Sequence, residues 1–472
     1  MRQTKFYSLA FILLIISQAV MASLNSDVKA LIKKYDLSNA KIGIAVQRTN
    51  SGKWLYEYDS NSSYTPASNN KVFTAVGALL TLSSNFSFST SVYYDKSELK
   101  GTTLNGDLYI EFTGDPSLTT SSLNKLVADI YAKGIHKVNG DIIAVADNFS
   151  GDYYPVGWSQ TDKDYCFAAP ASSMNLNRNC MIIALQSIGG EKTKVKNISN
   201  ADHIEIDNQV KFVSGSEAKN CSFSPSMSSR NVLTLSGCLP KRGEWRLKFA
   251  IANPALKTLN ELGDLLRNNH ISYTGNLSID SLPSGLTELT NVCSGTRNYL
   301  LKHMLEHSDN LYAESLARAV GQEVKGSGTI QSGVSCITDQ IHNELGVDTD
   351  TYLTMKDGSG LSHSDSVTPK FMAEFLTETF NNKDIGRTFY NSLPISGISG
   401  TIAYRMSNDG LLGKVHAKTG TLDASSTLSG YVLTRRIHRL SFSIMLNDLK
   451  YSQRKEARRF QDAVVKLLYD QL

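Results

Sequence analysis

The chain lacks most of the features that would assign it to a common class at once. No Cys-X-X-Cys pair occurs in its 472 residues, so the paired thiolates of a structural zinc site are missing. Beyond residue 22 no stretch approaches the ~20 apolar residues that span a bilayer. A formal charge of only +4 gives no support for nucleic-acid binding. Internal repeats and extended low-complexity tracts are also absent, although 222–229 is a serine-rich loop. What is present starts with Arg2 and Lys5 ahead of the apolar run Phe11-Ile12-Leu13-Leu14-Ile15-Ile16, which ends in small residues near Ala22. That pattern is a secretory signal over 1–22, and its removal lowers the formal charge to +2.

Six cysteines, an even number in an exported chain, read as disulfides. Fifteen pairings are formally open. Cys166 with Cys180 and Cys221 with Cys238 each close a short loop, which leaves Cys293 with Cys336 by elimination.

Three short motifs carry the chemistry. Ser-X-X-Lys begins at Ser26, Ser38, Ser68, Ser97, Ser122, Ser216 and Ser452, so context has to choose among the seven. Only Ser68 follows Pro66-Ala67 and precedes a long apolar helical run from Val72 to Leu80. A serine at the start of a buried helix lies beside unpaired backbone N–H groups and the positive end of the dipole, and the spacing of three sets Lys71 on the same face. Ser308-Asp309-Asn310 and Lys418-Thr419-Gly420 follow in order. Each alone reads as an N-cap, a polar turn or an exposed strand end. Together and in order they supply what acyl transfer at a serine needs: a nucleophile, a base, a proton-bridging pair and a carboxylate anchor.

Ser68 and Ser308 lie 240 positions apart, but Ser308 and Lys418 only 110, so the excess length sits between the first two motifs. Ile42–Val46 and Trp54–Tyr58, beyond an Asn50-Ser51-Gly52 turn, read as a hairpin. Lys414–Leu422, Thr427–Thr434 and Leu440–Leu446 read as three more strands. With amphipathic helices over Ser26–Tyr35 and Gln453–Leu468, these predict an α+β fold, one five-stranded antiparallel sheet plus a helical subdomain. The helical part would hold Ser68 and the helices Tyr299–Glu306 and Leu311–Gly321 on either side of the second motif. The expected catalytic domain is discontinuous, 23–85 and 288–472. The intervening 86–287, with short alternating runs such as Leu108–Phe112, is expected to be a β-rich insert of two domains, about 98–165 nested within 86–97 and 166–287.

The trio resembles that of the penicillin-recognising serine acyltransferases. Gly106-Asp107-Leu108, Gly114-Asp115-Pro116, Asp357-Gly358-Ser359-Gly360-Leu361-Ser362 and Lys418-Thr419-Gly420-Thr421-Leu422 narrow the likeness. So do Cys166-Phe167 to Asn179-Cys180 and Gly237-Cys238-Leu239-Pro240. Together they resemble the three-domain D-alanyl-D-alanine carboxypeptidase/endopeptidase family of low-molecular-weight penicillin-binding proteins. The resemblance implies that Ser68 attacks the carbonyl between two D-alanines and that Lys71 takes its proton. Ser308 would bridge Lys71 to the leaving amine, and Asn310 would hold the substrate amide and orient Lys71. Lys418 and Thr419 would bind the terminal carboxylate, and the N–H groups of Ser68 and Thr421 would form the oxyanion hole. A free lysine titrates at about 10.4, so a Lys71 base working near neutrality needs a fall of about 3 pH units, roughly 4 kcal/mol, part of it from repulsion by Lys418. Gly420 would close the strand motif. His363, where the family commonly has Arg, and Asp423, where an amide is familiar, would lie near the peptide side chain and set its selectivity.

The implied substrates are peptidoglycan stem peptides, with β-lactams as covalent inhibitors, no cofactor, no metal and no nucleic acid. The implied compartment is the periplasm, with peripheral association with wall or membrane left open. One competing pattern, His303-Met304-Leu305-Glu306-His307, fits the inverted zinc-peptidase signature but has no third ligand identifiable from sequence. A β-lactamase would use the same acylation residues and differ in fast deacylation. An inactive wall-binding scaffold would not need the intact trio.

Overall fold

The computed structural model describes residues 23–408 and 410–472, so the expected signal segment lies outside the described residues. Contacts divide the chain into two units.

Among the described residues, the first unit comprises those up to Leu82, Leu301–Asp309 and Val334–Leu472. Its centre is a five-stranded sheet in the order Trp54–Tyr58, Lys41–Arg48, Arg439–Asn447, Ser425–Leu433, Val415–Leu422. Every neighbouring pair is antiparallel. The expected sheet is therefore present, and it joins the two ends of the chain because Ile44 pairs with Ile444.

Alternation assigns the two faces. Ile42, Ile44, Val46, Phe442, Ile444 and Leu446 pack with Leu24 and Val28 of the helix over 23–34 and with Phe460, Val464 and Leu468 of the helix Arg454–Gln471. Fully burying a side chain of this size contributes about 1.5–3 kcal/mol. On another side the helix Pro369–Asn381 is pinned to the sheet by Tyr431 Oη donating to Leu376 O at 2.7 Å and by a Thr377–Ser441 hydroxyl pair at 2.7 Å. Phe375 of that helix meets Phe73 of the helix Lys71–Thr81 with centroids 4.7 Å apart. The helix Lys71–Thr81 is thereby buried from Lys71 through Leu79.

The second unit comprises Ser83–Leu300 and Asn310–Gly333. It has its own five-stranded sheet, in the order Leu277–Ile279, Ile142–Val145, Leu108–Phe112, Ser89–Tyr94, Thr287–Cys293. Leu108–Phe112 pairs with Ile142–Val145 in parallel, across the helix Thr120–Ala132. Residues 180–250 form separate small sheets around a separate core of Met181, Ile183, Leu185, Phe212, Leu233, Leu235 and Phe249. The enclosed segment is thus 180–250 and not 98–165: strands from both sides of it, Ile142–Val145 and Leu277–Ile279, are neighbours in one sheet.

Cys166–Cys180 and Cys221–Cys238 are bridged. The third expected bridge is corrected, because Cys293 and Cys336 form no disulfide. Cys293 ends an exposed strand and lies 3.5 Å from Asn291 Oδ1, whereas Cys336 is buried on the helix Ile330–Leu345. Elimination in the sequence carried no information about distance. Among the described residues no helix is long and apolar enough to cross a membrane.

Candidate active site

Ser68 sits in a 3-10 turn, Ala67–Asn70, immediately before the α-helix that starts at Lys71. The turn is entered through Ala67 at φ 48°, a left-handed conformation that costs a non-glycine residue of the order of 1 kcal/mol. Surrounding contacts hold it there. Thr427 Oγ1 donates to Pro66 O at 2.7 Å, and Asn69 Nδ2 donates to Ser429 Oγ at 2.9 Å. Asn70 Nδ2 donates to Asp357 O at 2.8 Å. Lys71 lies one turn on, fully buried, and its Nζ donates to Ser68 Oγ at 3.0 Å and to Ser359 O at 2.7 Å.

Two glycines let other segments approach this turn. A Cβ on Gly360 would stand 1.9 Å from Ala67 O, and Gly360 itself has φ 78°. A Cβ on Gly420 would stand 2.1 Å from Thr427 Oγ1 and 2.6 Å from Pro66 O. The glycine of Lys-Thr-Gly is thus required by the closeness of the edge strand to the nucleophile turn. The loop bearing Gly360 folds around the buried Asp357 carboxylate, which accepts from the N–H groups of Ser359, Gly360, Leu361 and Ser362 at 2.5–3.1 Å. This fixes the carbonyl of Ser359 that receives Lys71.

Ser308 occupies the turn after the helix Arg297–His307 and is also left-handed, at φ 55°. Its Oγ accepts from Lys418 Nζ at 2.8 Å, and Lys418 also donates to Thr419 O at 2.6 Å. Lys418 is fully enclosed, and its pKa falls well below that of a free lysine, first through loss of hydration and then through repulsion by Lys71. Two lysines sharing a dry site favour the state in which one is neutral, and a neutral amine can accept a hydroxyl proton.

Thr419 Oγ1 donates to Thr401 Oγ1 at 2.8 Å. Thr421 is exposed, opposite Ser426. The structure therefore brings Ser68, Lys71, Ser308, Lys418, Thr419 and Gly420 into one unit. Asn310 opens the helix Asn310–Lys325 of the other unit, where its Nδ2 donates to Phe167 O at 2.7 Å. His363 and Asp423 are exposed. Asp423 is tied to Arg454, whose Nε donates to Asp423 O at 3.0 Å and whose Nη2 lies 3.5 Å from the carboxylate. Sequence reading gave no role to Asp357, Ser359, Thr401 or Arg454. Only the Asp-Gly-Ser-Gly-Leu-Ser string gave a signal for the first two. His303 Nε2 meets Asp309 Oδ2 at 3.3 Å, and its ring stacks on His307 at 4.3 Å.

The model of the D-Ala-D-Ala carboxypeptidase 3 (S13) family matches residues 24–471. The chain belongs to this family. It is a serine-type D-Ala-D-Ala carboxypeptidase, a hydrolase of the penicillin-binding class. It is 29% identical over 446 residues to a D-alanyl-D-alanine carboxypeptidase, DacB, from Haemophilus influenzae, covering 93% of this chain and 92% of the relative. It is also 29% identical to a D-alanyl-D-alanine carboxypeptidase from Actinomadura sp., covering 91% and 82%. The crystal structure of penicillin-binding protein 4 from H. influenzae superposes with a TM-score of 0.88 at 28% identity, over 94% of this chain and 99% of that one. The same relative in complex with a β-lactam gives 0.82 at 27% identity, again over 94% and 99%. This S13 chain thus has a close fold match along almost its whole described length.

Proposed function

We propose that the chemistry of this carboxypeptidase is carried by the discontinuous portion 23–85 and 288–472, with Ser68 as the nucleophile. Lys71 accepts the hydroxyl proton as Ser68 Oγ attacks the carbonyl carbon of the penultimate D-alanine. The C–N bond then breaks, and the leaving amine takes a proton relayed from Lys71 through Ser308. An ester to Ser68 remains, and water hydrolyses it with the same base, returning the proton to the serine. The N–H groups of Ser68 and Thr421 stabilise the oxyanion, Asn310 binds the substrate amide, and Lys418 with Thr419 binds the terminal carboxylate.

The observation that carries this reading is the pair of short lysine–hydroxyl contacts, Lys71 to Ser68 at 3.0 Å and Lys418 to Ser308 at 2.8 Å, between buried lysines that repel one another. The substrates are the stem peptides of peptidoglycan, both free D-Ala-D-Ala ends and cross-links, reached after export from the cytoplasm. The basic, apolar segment over 1–22 supports the export. β-Lactams act as covalent inhibitors, a reading supported by the β-lactam complex of the H. influenzae relative.

Incubation with penicillin followed by peptide mapping tests the assignment. The adduct is expected on Ser68 and absent from Ser68→Ala; an adduct on another serine overturns it.

A further inference from the structure

The second unit holds a cavity of about 350 Å³, inside the range of roughly 300–1,000 Å³ typical of ligand pockets. Three segments wall it: the loop ahead of the Cys166–Cys180 bridge, the end of the strand Ser224–Met227, and the start of the helix Pro254–Asn268. Hydrogen bonds tie the three together. Asp164 O accepts from Ala250 N at 2.9 Å, and Asp164 Oδ1 accepts from Met227 N at 2.7 Å. Asn253 Oδ1 accepts from Leu256 N at 3.0 Å at the head of the helix, and its Nδ2 donates to Ser229 O at 3.2 Å. A ligand therefore meets walls that need little ordering.

The polar groups of the lining residues are not all used. Among the described residues, no hydrogen bond engages Asp164 Oδ2, the Tyr154 hydroxyl, or the hydroxyls of Ser226 and Ser229. Asp164 and Tyr154 are half-buried, and polar groups in that position normally find a partner. Burial, with the Asp164 carboxylate adding to it, pushes the Tyr154 phenol up to about 12, so it stays a donor. Four unspent groups around one cavity suit a ligand rich in hydroxyls.

Charge narrows the class further. Lys163 also lines the cavity, but its Nζ donates to Gln160 Oε1 at 3.0 Å and lies 4.9 Å from the centre of the Tyr154 ring. One lysine and one aspartate leave the lining without net charge, so an anion would face the aspartate and a cation the lysine. Tyr153, Met227 and Ala252 supply an aromatic and apolar wall. A pyranose ring matches both halves: it is neutral, with C–H groups on one face and hydroxyls around its edge. We infer that this cavity binds one N-acetylated aminosugar of a glycan strand, so that the insert holds the polymer whose stem peptides the enzyme cleaves. The choice of that sugar rests on the peptidoglycan reading proposed above, since stem peptides reach the enzyme attached to such a strand.

The test titrates the mature enzyme with the trimer of N-acetylglucosamine, followed by calorimetry, with free D-alanine as a zwitterionic competitor. Binding with a Kd of about 1 mM is expected. Asp164→Asn keeps an acceptor for Met227 N but removes the charge, and is expected to weaken binding about tenfold. Ser226→Trp fills the cavity from an exposed strand position and should abolish binding. Both variants should still be acylated by penicillin on Ser68 within about twofold of the native rate, which shows that they fold. Trimer binding that is undetectable up to about 10 mM, or that is equal in the native enzyme and both variants, overturns the site. So does displacement of the trimer by D-alanine, which would make the cavity an amino-acid site. Penicillin mapping separates the two claims: an adduct away from Ser68 would remove the mechanism and leave a measured sugar site standing, while an intact Ser68 adduct without trimer binding would remove only the site.

Discussion

The surroundings of the nucleophile turn in the first unit and the core at 180–250 in the second bury different things. In the sheet-bearing unit Lys71, Lys418, Asn69, Asn70, Asp357 and Ser359 are all without solvent exposure. In the inserted unit the core at 180–250 is apolar, and its strand Thr193–Ser199 exposes Lys194 and Lys196. Enclosing charge costs stability, and a domain can bear that only if enough apolar surface is buried elsewhere. The first unit has that reserve in the core shared by its sheet and terminal helices. The smaller core at 180–250 encloses no charged side chain and gains cross-links instead. Stability and reactivity should therefore respond in opposite ways to substitution in these two regions.

The largest effect should come from removing the buried amine that touches the nucleophile. Lys71→Met is expected to lower the rate of penicillin acylation by about 10²–10⁴-fold, measured by mass spectrometry of the Ser68 adduct. Its Tm should not fall, because a desolvated, repelled charge goes with the amine. A Tm lower by several degrees with acylation intact would invert the comparison.

Next come the glycines that admit neighbours to the turn. Gly360→Ala adds a Cβ 1.9 Å from Ala67 O at a left-handed residue, so the loop must move. The expected loss is about 2–3 kcal/mol by denaturant unfolding, with acylation slowed at least tenfold as Ser359 O shifts away from Lys71. In the insert, replacing Cys221 and Cys238 by serine opens a loop of sequence separation 17 and should cost about 3 kcal/mol. Acylation by the folded enzyme at 25 °C should change less than twofold.

How much of this could be read beforehand depends on how local its cause is. The antiparallel sheet was legible because Ile42–Val46 and Leu440–Leu446 are regular strand-forming runs bounded by turn residues. Ser68 was legible because Pro66-Ala67 and the apolar run single it out from the other Ser-X-X-Lys sites. Its 3-10 turn was not, because the left-handed residue there is an alanine and nothing in the local text marks it. The Asp-Gly-Ser-Gly-Leu-Ser string marks the segment of Asp357 but not its clamp, which is made of backbone N–H groups. The order of nesting in the insert was misread because it depends on parallel pairing between distant strands, and Cys293 with Cys336 because counting cysteines says nothing about distance.

A smaller effect concerns pH. Lys418 binds its proton more weakly in the folded protein than in the unfolded chain. Between its lowered folded pKa and its ordinary value near 10.5, the unfolded state holds more protons, so stability rises with pH across that interval. The penalty is fully present below the folded value. Lys418→Met should therefore flatten the rise of Tm between neutral and alkaline pH. It should also lower both hydrolysis of peptides ending in a free carboxylate and acylation by penicillin, which carries a carboxylate of its own.

The smallest effects belong to the exposed pair that the resemblance assigns to peptide selectivity. Arg454 holds the carbonyl of Asp423 as well as approaching its carboxylate, so Asp423→Ala removes only the weaker, solvent-screened contact. Stability should stay within about 0.5 kcal/mol. His363→Ala, on a side chain that is also exposed, should behave the same way. If either residue reads the stem peptide, the ratio of hydrolysis rates for stems with cationic and anionic side chains should shift about threefold, the scale of one exposed charge pair. For Asp423→Ala the shift has a sign: losing the carboxylate beside a freed Arg454 should favour the anionic stem. A shift toward the cationic stem would show that Asp423 does not read the stem through its charge.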